Sequence, residues 1–274
     1  MTPHDAGRSL PFVKAHAYGN DFLYVPAAAL AADPAAAARR LCHRHTGIGA
    51  DGLILYDLSA AGARMRLINA DGSPAELSGN GLRGLAALAI RARRAAGDTN
   101  PEVAIETSAG PRRLILQGEA GSRMEFLADM GVPAGLREIA LDAAGERIRA
   151  TVLSMGNPQC VVLGPLPDDE RFHRLGAVLE RHEVFPEGTN VEFAEVLDSD
   201  RVRIRIWERG VGPTSSSGTG TCAAAVAAAA HGGARRRLEV LAPGGAQIVE
   251  WTDAGVHLTG WAEVLCDGVW HADV

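Results

Sequence analysis

The stretches "SGNGLRGLAALAI" (residues 78–90) and "SGTGTCAAAVAAA" (residues 217–229) share one form: a serine, two glycines spaced G-x-G, then a run of small and apolar residues. Serine ahead of a helical run is a preferred N-cap, because its hydroxyl accepts a hydrogen bond from a backbone N–H that the first turn leaves unpaired. Glycine in the next positions lets a ligand approach those N–H groups closely, and the partial positive charge of a helix start favours an anion. A single phrase of this kind is a weak signal, since serine caps are common. Two of them raise the question of whether the whole chain is written twice.

Three further landmarks recur in the same order. "MRLINADG" precedes Ser78 and "VRIRIWERGVG" precedes Ser217, each opening with the alternation of a half-buried strand, and Asn69 and Glu208 each stand nine residues before their serine. "GIGADGLILYD" begins 31 residues before Ser78, and "GTNVEFAEVLD" begins 29 before Ser217. "GND" (19–21) and "GNP" (156–158) place Asn20 and Asn157 at 58 and 60 residues before the two serines. Four landmarks in register predict a duplicated α/β half. Each half runs Gly-Asn turn, helix, Gly-turn strand, second strand, serine and helix. Residues 28–42 and 167–180 carry the first helix of each half, and "TVLSMG", "NVEFAEVLD" and "LEVLAPGG" read as strands. The boundary falls near residues 118–128. The expected domains are residues 1–122, joined by the C-terminal strand 265–274, and residues 123–264.

The bulk properties narrow the class. A chain of 274 residues with 47% hydrophobic content is long enough for two packed halves, and its net charge of -6 carries no long basic run. "RARR" (91–94) and "ARRRL" (234–238) read as solvated helix ends, so no nucleic-acid partner is expected. Cys42, Cys160, Cys222 and Cys266 lie far apart without ligand spacing, which argues against a metal site and a disulfide framework and suits a cytoplasmic protein. The start of the chain lacks the pattern of a signal peptide. The longest apolar run, residues 222–230, is about half of what a membrane span needs. His43 and His45, spaced i, i+2, cannot share a helical face and are not expected to bind metal. His16 either orders the Gly-Asn loop or lies on its surface, with the surface reading preferred, and Cys222 reads as packing.

The phrases "KAHAYGNDF", "GIGADGLI", "NADGSPAELSGNGLR", "MGNPQ", "GTNVEF", "WERGVGPT" and "SGTGTCAAA", in this order over most of the chain, resemble the diaminopimelate epimerase family. The resemblance implies an α/β fold of two pseudo-symmetric halves, each a mixed, barrel-like sheet wrapped around a central helix, with an amino-acid substrate held between them. It implies an isomerase that uses no cofactor, has a diaminopimelate-like small-molecule substrate and belongs to lysine and peptidoglycan precursor synthesis. A homodimer is left open. By the same resemblance Asn69, Asn157, Asn190 and Arg209 hold the distal end of the substrate, and Asn20 and Glu208 line the reacting ammonium. Gly79 with Asn80, and Gly218 with Thr219, cradle the reacting carboxylate.

Two cysteines do the chemistry in that family, and their positions here are Ser78 and Ser217. An alcohol is a far weaker acid than a thiol and needs a partner base. Two neighbours also depart from the family: Gln159 replaces a usual histidine, and Gly84 a usual cysteine. The expected catalytic residues are therefore Ser78, Ser217 and Glu208, in a weak or inactive epimerase. The alternatives are an enzyme with a changed reaction, such as a dehydratase or a one-base isomerase relying on Glu208, and a non-catalytic amino-acid-binding homologue.

Overall fold

Two helices of this chain are buried almost without a break, Asn80 to Ile90 in one and Gly220 to Ala228 in the other. A helix apolar and buried on every side must be enclosed by other structure, and here strands enclose each one. The computed structural model describes residues 9–31, 33–59, 61–75, 78–108 and 110–271. Its elements run β1 (Leu10–Ala17), β2 (Asn20–Pro26), α1 (Pro34–Leu41), β3 (Gly52–Ser59), β4 (Gly62–Asn69), β5 (Pro74–Ala75), α2 (Gly79–Ala95), β6 (Glu102–Thr107), β7 (Gly110–Ala120) and β8 (Arg123–Asp129). They continue with β9 (Ala134–Ala143), β10 (Glu146–Ser154), β11 (Pro158–Leu163), α3 (Asp169–Glu180), β12 (Asn190–Asp198), β13 (Arg201–Glu208), β14 (Gly212–Thr214), α4 (Gly218–His231), β15 (Arg237–Ala242), β16 (Gly245–Thr252) and β17 (Gly255–Trp270).

The chain forms two units, one of residues up to Phe126 together with those from Trp261 onward, the other Leu127–Gly260. In the first unit β1 is antiparallel to β2, β2 parallel to β3, β3 antiparallel to β4, β4 parallel to β6 and β6 antiparallel to β7. With β7 beside β8, β8 beside β17 and β17 antiparallel to β1, eight strands close on themselves around α2. Closure removes the exposed sheet edges that would otherwise pair with other chains.

The second unit repeats this order. β10 is antiparallel to β11, β11 parallel to β12, β12 antiparallel to β13, β13 parallel to β15 and β15 antiparallel to β16. β16 is antiparallel to β17, whose Val256 exchanges backbone hydrogen bonds with Met130 and Gly131 just ahead of β9, and β9 is antiparallel to β10. The helix inside this ring, α4, is built almost wholly of alanine, glycine and threonine. Small side chains let the strands pack close to its backbone, whereas α2 buries Leu82, Leu85, Leu88 and Ile90 inside a ring of the same number of strands.

The outer helices follow from their caps. The expected helix over 28–42 begins only at Pro34. Asp33 accepts hydrogen bonds from the amides of Ala35 and Ala36 and Pro34 occupies the first helical position, so the α-helix starts there, and Ala27–Ala29 form a separate 3-10 turn. Asp168 caps α3 in the same way, with Asp169 and Glu170 in its first turn. The strand readings lie in β10, β12 and β15, and "NVEFAEVLD" is β12 residue for residue.

One close approach inside the first unit depends on glycine. A methyl group at Gly84 would overlap the hydroxyl of fully buried Tyr24, which donates to the carbonyl of Gly81 at 2.9 Å. Gly84→Ala is expected to cost about 1–3 kcal/mol by overpacking, read as a lowered urea midpoint. Gly118→Ala, where an added methyl meets nothing within 4 Å, should change stability by less than about 0.5 kcal/mol.

Candidate active site

The serine caps form as the sequence suggests. Ser78 has extended backbone (φ -129°, ψ 121°) and its Oγ accepts from the Gly81 amide at 3.1 Å. Ser217 has φ -141° and ψ 125°, and its Oγ accepts from the Gly220 amide at 3.2 Å. Each serine therefore sits at the start of its unit's enclosed helix, with Gly79 and Gly218 as the first helical residues.

In the first unit, Asn20 follows a tight turn in which Tyr18 (φ 56°) and Gly19 (φ 84°) are both left-handed, between the paired residues Ala17 and Asn20. Two successive left-handed residues suit a two-residue hairpin loop, but the conformation is costly for tyrosine. Contacts hold it in place: Tyr18 is buried against Trp261 with ring centroids 4.6 Å apart, and His16 Nδ1 accepts from the Gly19 amide at 3.3 Å. His16 thus holds the Gly-Asn turn, the less preferred of the two readings its sequence position allowed.

Asn20 is held from two sides. Its Nδ2 donates to Asp51 Oδ2 at 2.8 Å and its Oδ1 accepts from Asn80 Nδ2 at 3.2 Å. Arg44 joins Asp51 (2.7 Å) to Asp21 (2.8 Å), and Lys14 lies 3.0 Å from Asp21 while donating to the Gly49 carbonyl. Burial alone would raise the Asp21 carboxyl, but hydrogen bonds from Arg44 and Lys14 hold it below its ordinary value. Asn80 itself is fixed by buried Arg83, whose Nη1 donates to Asn80 Oδ1 at 2.8 Å. Asn69, exposed at the end of β4 and paired with Gly52, donates to Ser73 Oγ at 3.0 Å.

The second unit repeats the asparagine arrangement with different partners. Asn157 Nδ2 lies 3.4 Å from Thr219 Oγ1, the counterpart of Asn20 with Asn80. Gln159 Nε2 donates to Asn157 Oδ1 at 2.6 Å. Asn190 commits both ends of its amide to backbone, accepting from the Arg209 N–H (2.9 Å) and donating to the Pro158 carbonyl (3.2 Å). Arg209 is exposed, with its Nη1 on the Glu187 carbonyl at 3.1 Å. Glu180 accepts from the Trp207 indole and the Gly210 amide, both at 2.8 Å; burial raises its carboxyl, and these bonds bring it below its ordinary value. The turn that carries Arg209 is thereby anchored.

Glu208, half-buried, lies at the end of β13, where the register that pairs Val191 with Trp207 puts it opposite Asn190. Burial raises its carboxyl pKa. Glu192, one turn of the β12 pleat inward from Asn190, is 0% exposed, and neither carboxyl oxygen has a hydrogen-bond partner among the described residues. Burial, and secondarily the charge of Glu208, hold its pKa well above the ordinary carboxylate value. Cys160 is also pushed up by burial, with Glu192 adding to the shift.

Sequence reading missed Lys14, Asp21, Arg44, Asp51, Glu180 and Glu192. The only hint of Glu192 is an acid at an inward position of a strand whose neighbours Val191, Phe193 and Ala194 are apolar. Cys222 is buried in the apolar core around α4 as expected. Among the described residues no cluster of side chains suited to a metal ion occurs, and no helix is long and apolar enough to cross a membrane.

Solved structures place the fold. A predicted epimerase from Pseudomonas aeruginosa matches with a TM-score of 0.70 at 17% identity, covering 96% of this chain and 100% of that one. A hydroxyproline epimerase from Agrobacterium vitis matches with a TM-score of 0.63 at 18% identity, covering 96% and 91%. The architecture is the fold that these two structures share. Sequence comparison is more specific: the model of the diaminopimelate epimerase family matches residues 12–146 and 151–265. Diaminopimelate epimerases of Desulforudis audaxviator and Moorella thermoacetica are 44% and 43% identical, covering 95% and 91% of this chain and 99% and 95% of theirs. This chain belongs to the diaminopimelate epimerase family. That membership favours an isomerase of epimerase type over a changed reaction or a non-catalytic binding protein.

The buried carboxyl makes a testable statement about stability. A group whose folded pKa is raised stabilises the fold only in its protonated form, so its contribution falls as pH rises from the unfolded value of about 4.3 toward the folded one. Glu192→Gln removes that titration. The variant should gain on the native chain by about 1–3 kcal/mol between pH 4 and pH 7, measured by urea unfolding at both pH values.

Proposed function

We propose that this chain epimerises the α-carbon of a diamino diacid, interconverting LL- and meso-diaminopimelate, with Ser78 and Ser217 at the two acid/base positions. The observation that carries the reading is the serine-capped G-x-G helix start found once in each unit, each beside an asparagine on the preceding turn. The unpaired N–H groups of such a helix start suit a substrate carboxylate, and their partial positive charge stabilises the enolate-like charge that develops when the α-proton leaves. Gly79 with Asn80, and Gly218 with Thr219, serve that carboxylate. Asn20 and Glu208 face the reacting ammonium. Asn69, Asn157, Asn190 and Arg209 serve the distal amino and carboxylate groups, with Asn190 also orienting the backbone of Arg209. The substrate is a small amino acid, and the reaction belongs to cytoplasmic synthesis of lysine and peptidoglycan precursors.

The serines set the rate. Each pKa unit between base and substrate is about 1.4 kcal/mol, and an alcohol lies several units above a thiol. The protein as written is therefore a slow epimerase. Ser78→Cys combined with Ser217→Cys should raise the rate about a hundredfold, followed by conversion of the LL to the meso isomer and by α-deuterium uptake. No gain on restoring sulfur would overturn the assignment of these two positions. Arg209→Ala should weaken diaminopimelate binding by about 2–4 kcal/mol in calorimetry, since a substrate carboxylate loses its partner; unchanged affinity would mean a different ligand.

A further inference from the structure

The two units differ where each enclosed helix begins. In the first, a methyl group added at Gly81 would stand 2.8 Å from Ile54 Cδ1; in the second, one added at Gly220 would stand 2.5 Å from Glu192 Oε1. Strand register makes these two residues equivalents. Ile54 follows Gly52 on β3, beside Tyr24, and Glu192 follows Asn190 on β12, beside Val161. An aliphatic side chain therefore satisfies this place in the fold. A wholly buried carboxyl without a hydrogen-bond partner is costly there.

The carboxyl has a neighbour worth that cost. The point where a Gly220 methyl would stand is also 3.2 Å from Ser217 Oγ, so Glu192 Oε1 and the serine hydroxyl border one small space at the start of α4. No hydrogen bond joins them at rest, and a side-chain rotation within that space is what would bring them together. Gly220 leaves the space they need. The other titratable groups facing Glu192 are Cys160 on β11 and Glu208 at the end of β13; no cation pairs with it among the described residues. A carboxylate formed at this place would meet the unpaired amides and positive end of α4.

We infer that Glu192 is the proton store behind Ser217, a positioning residue that exchanges a proton with the serine hydroxyl each time that hydroxyl acts on the substrate. This rests on Ser217 being an acid/base group. In one direction the Ser217 O–H bond breaks as its proton forms the C–H bond at the planar α-carbon. The Glu192 O–H bond breaks in the same step, its proton passes to Ser217 Oγ, and a carboxylate remains at the helix start. In the reverse direction Ser217 takes the α-proton and returns its own to that carboxylate. Protons balance, and no free alkoxide forms. Ile54 holds the equivalent place near Ser78, and no carboxyl takes it there among the described residues, so the two acid/base positions are unequal. Exchange of the α-proton through Ser217 outruns inversion.

The test uses the intact native chain with Glu192→Gln, Glu192→Asp and Ser217→Ala. In D2O the native protein should take up α-deuterium from one diaminopimelate isomer faster than it inverts it. Glu192→Gln should lower that uptake at least tenfold with KM within about twofold, and Glu192→Asp should restore part of it. Uptake unchanged in Glu192→Gln would overturn the inference while leaving the epimerase reading intact. Infrared difference spectra decide the contact regardless of turnover. A protonated-carboxyl band lost in Glu192→Gln and shifted in Ser217→Ala supports the pairing; a band indifferent to Ser217→Ala overturns it. If neither the native chain nor its double-cysteine form exchanges the α-proton, it is the epimerase reading that fails.

Discussion

A helix sealed inside a closed ring of strands can meet a ligand only at an end, and this constraint governs what each unit offers chemically. The middle of α2 and of α4 is wholly buried, so only their ends can come near a ligand. There the unpaired amides need an acceptor, which the serine hydroxyl only partly supplies. Everything around the first turn is arranged to hold that end still: asparagines on the preceding hairpins, the cations and carboxylates behind Asn20, and Glu180 behind the turn of Arg209.

The supports differ between the units although the strand order is the same. The first uses charge: Lys14 and Arg44 against Asp21 and Asp51, partly buried and mutually satisfied. The second relies on amides and backbone, with Asn190 tied to Arg209 and Pro158 and Gln159 tied to Asn157. Removing one member of the charged network leaves another carboxylate or cation short of a partner, so the turn before α2 is the less tolerant of single substitutions. In the second unit a lost amide contact exposes a neutral group at smaller cost.

The acidic groups follow the same division. Asp21 is buried but kept charged by two cations; Glu180 is buried but kept charged by two N–H donors. Glu192 has neither, and burial holds its pKa well above the ordinary carboxylate value. Three carboxyls of similar chemistry thus shift in different directions because of what stands within hydrogen-bond distance of each. Of these three, Glu192 is the carboxyl that burial pushes toward the protonated form.

The sequence by itself determined the duplication, the two serine-capped helices and the family. Those signals are local or depend on spacing: a cap needs its serine next to its helix, and "NVEFAEVLD" alternates as a strand must. Asn20 and Asn157 were legible because they recur in order, and Asn69 and Asn190 through the family resemblance, though each alone looks like a turn residue. Only the tertiary structure decided the rest. It brings Arg44 to Asp21, 23 residues away, and Glu180 to Gly210, 30 residues away, and no periodicity carries such contacts. It shows that Gly84 gives its space to Tyr24, that His16 holds a strained turn, and that the glutamate in "NVEF" is sealed beneath the helix that Ser217 caps. The physical reason is that protonation and strain are set by neighbours brought together through closure of the strands, and sequence distance says nothing about which neighbours those are.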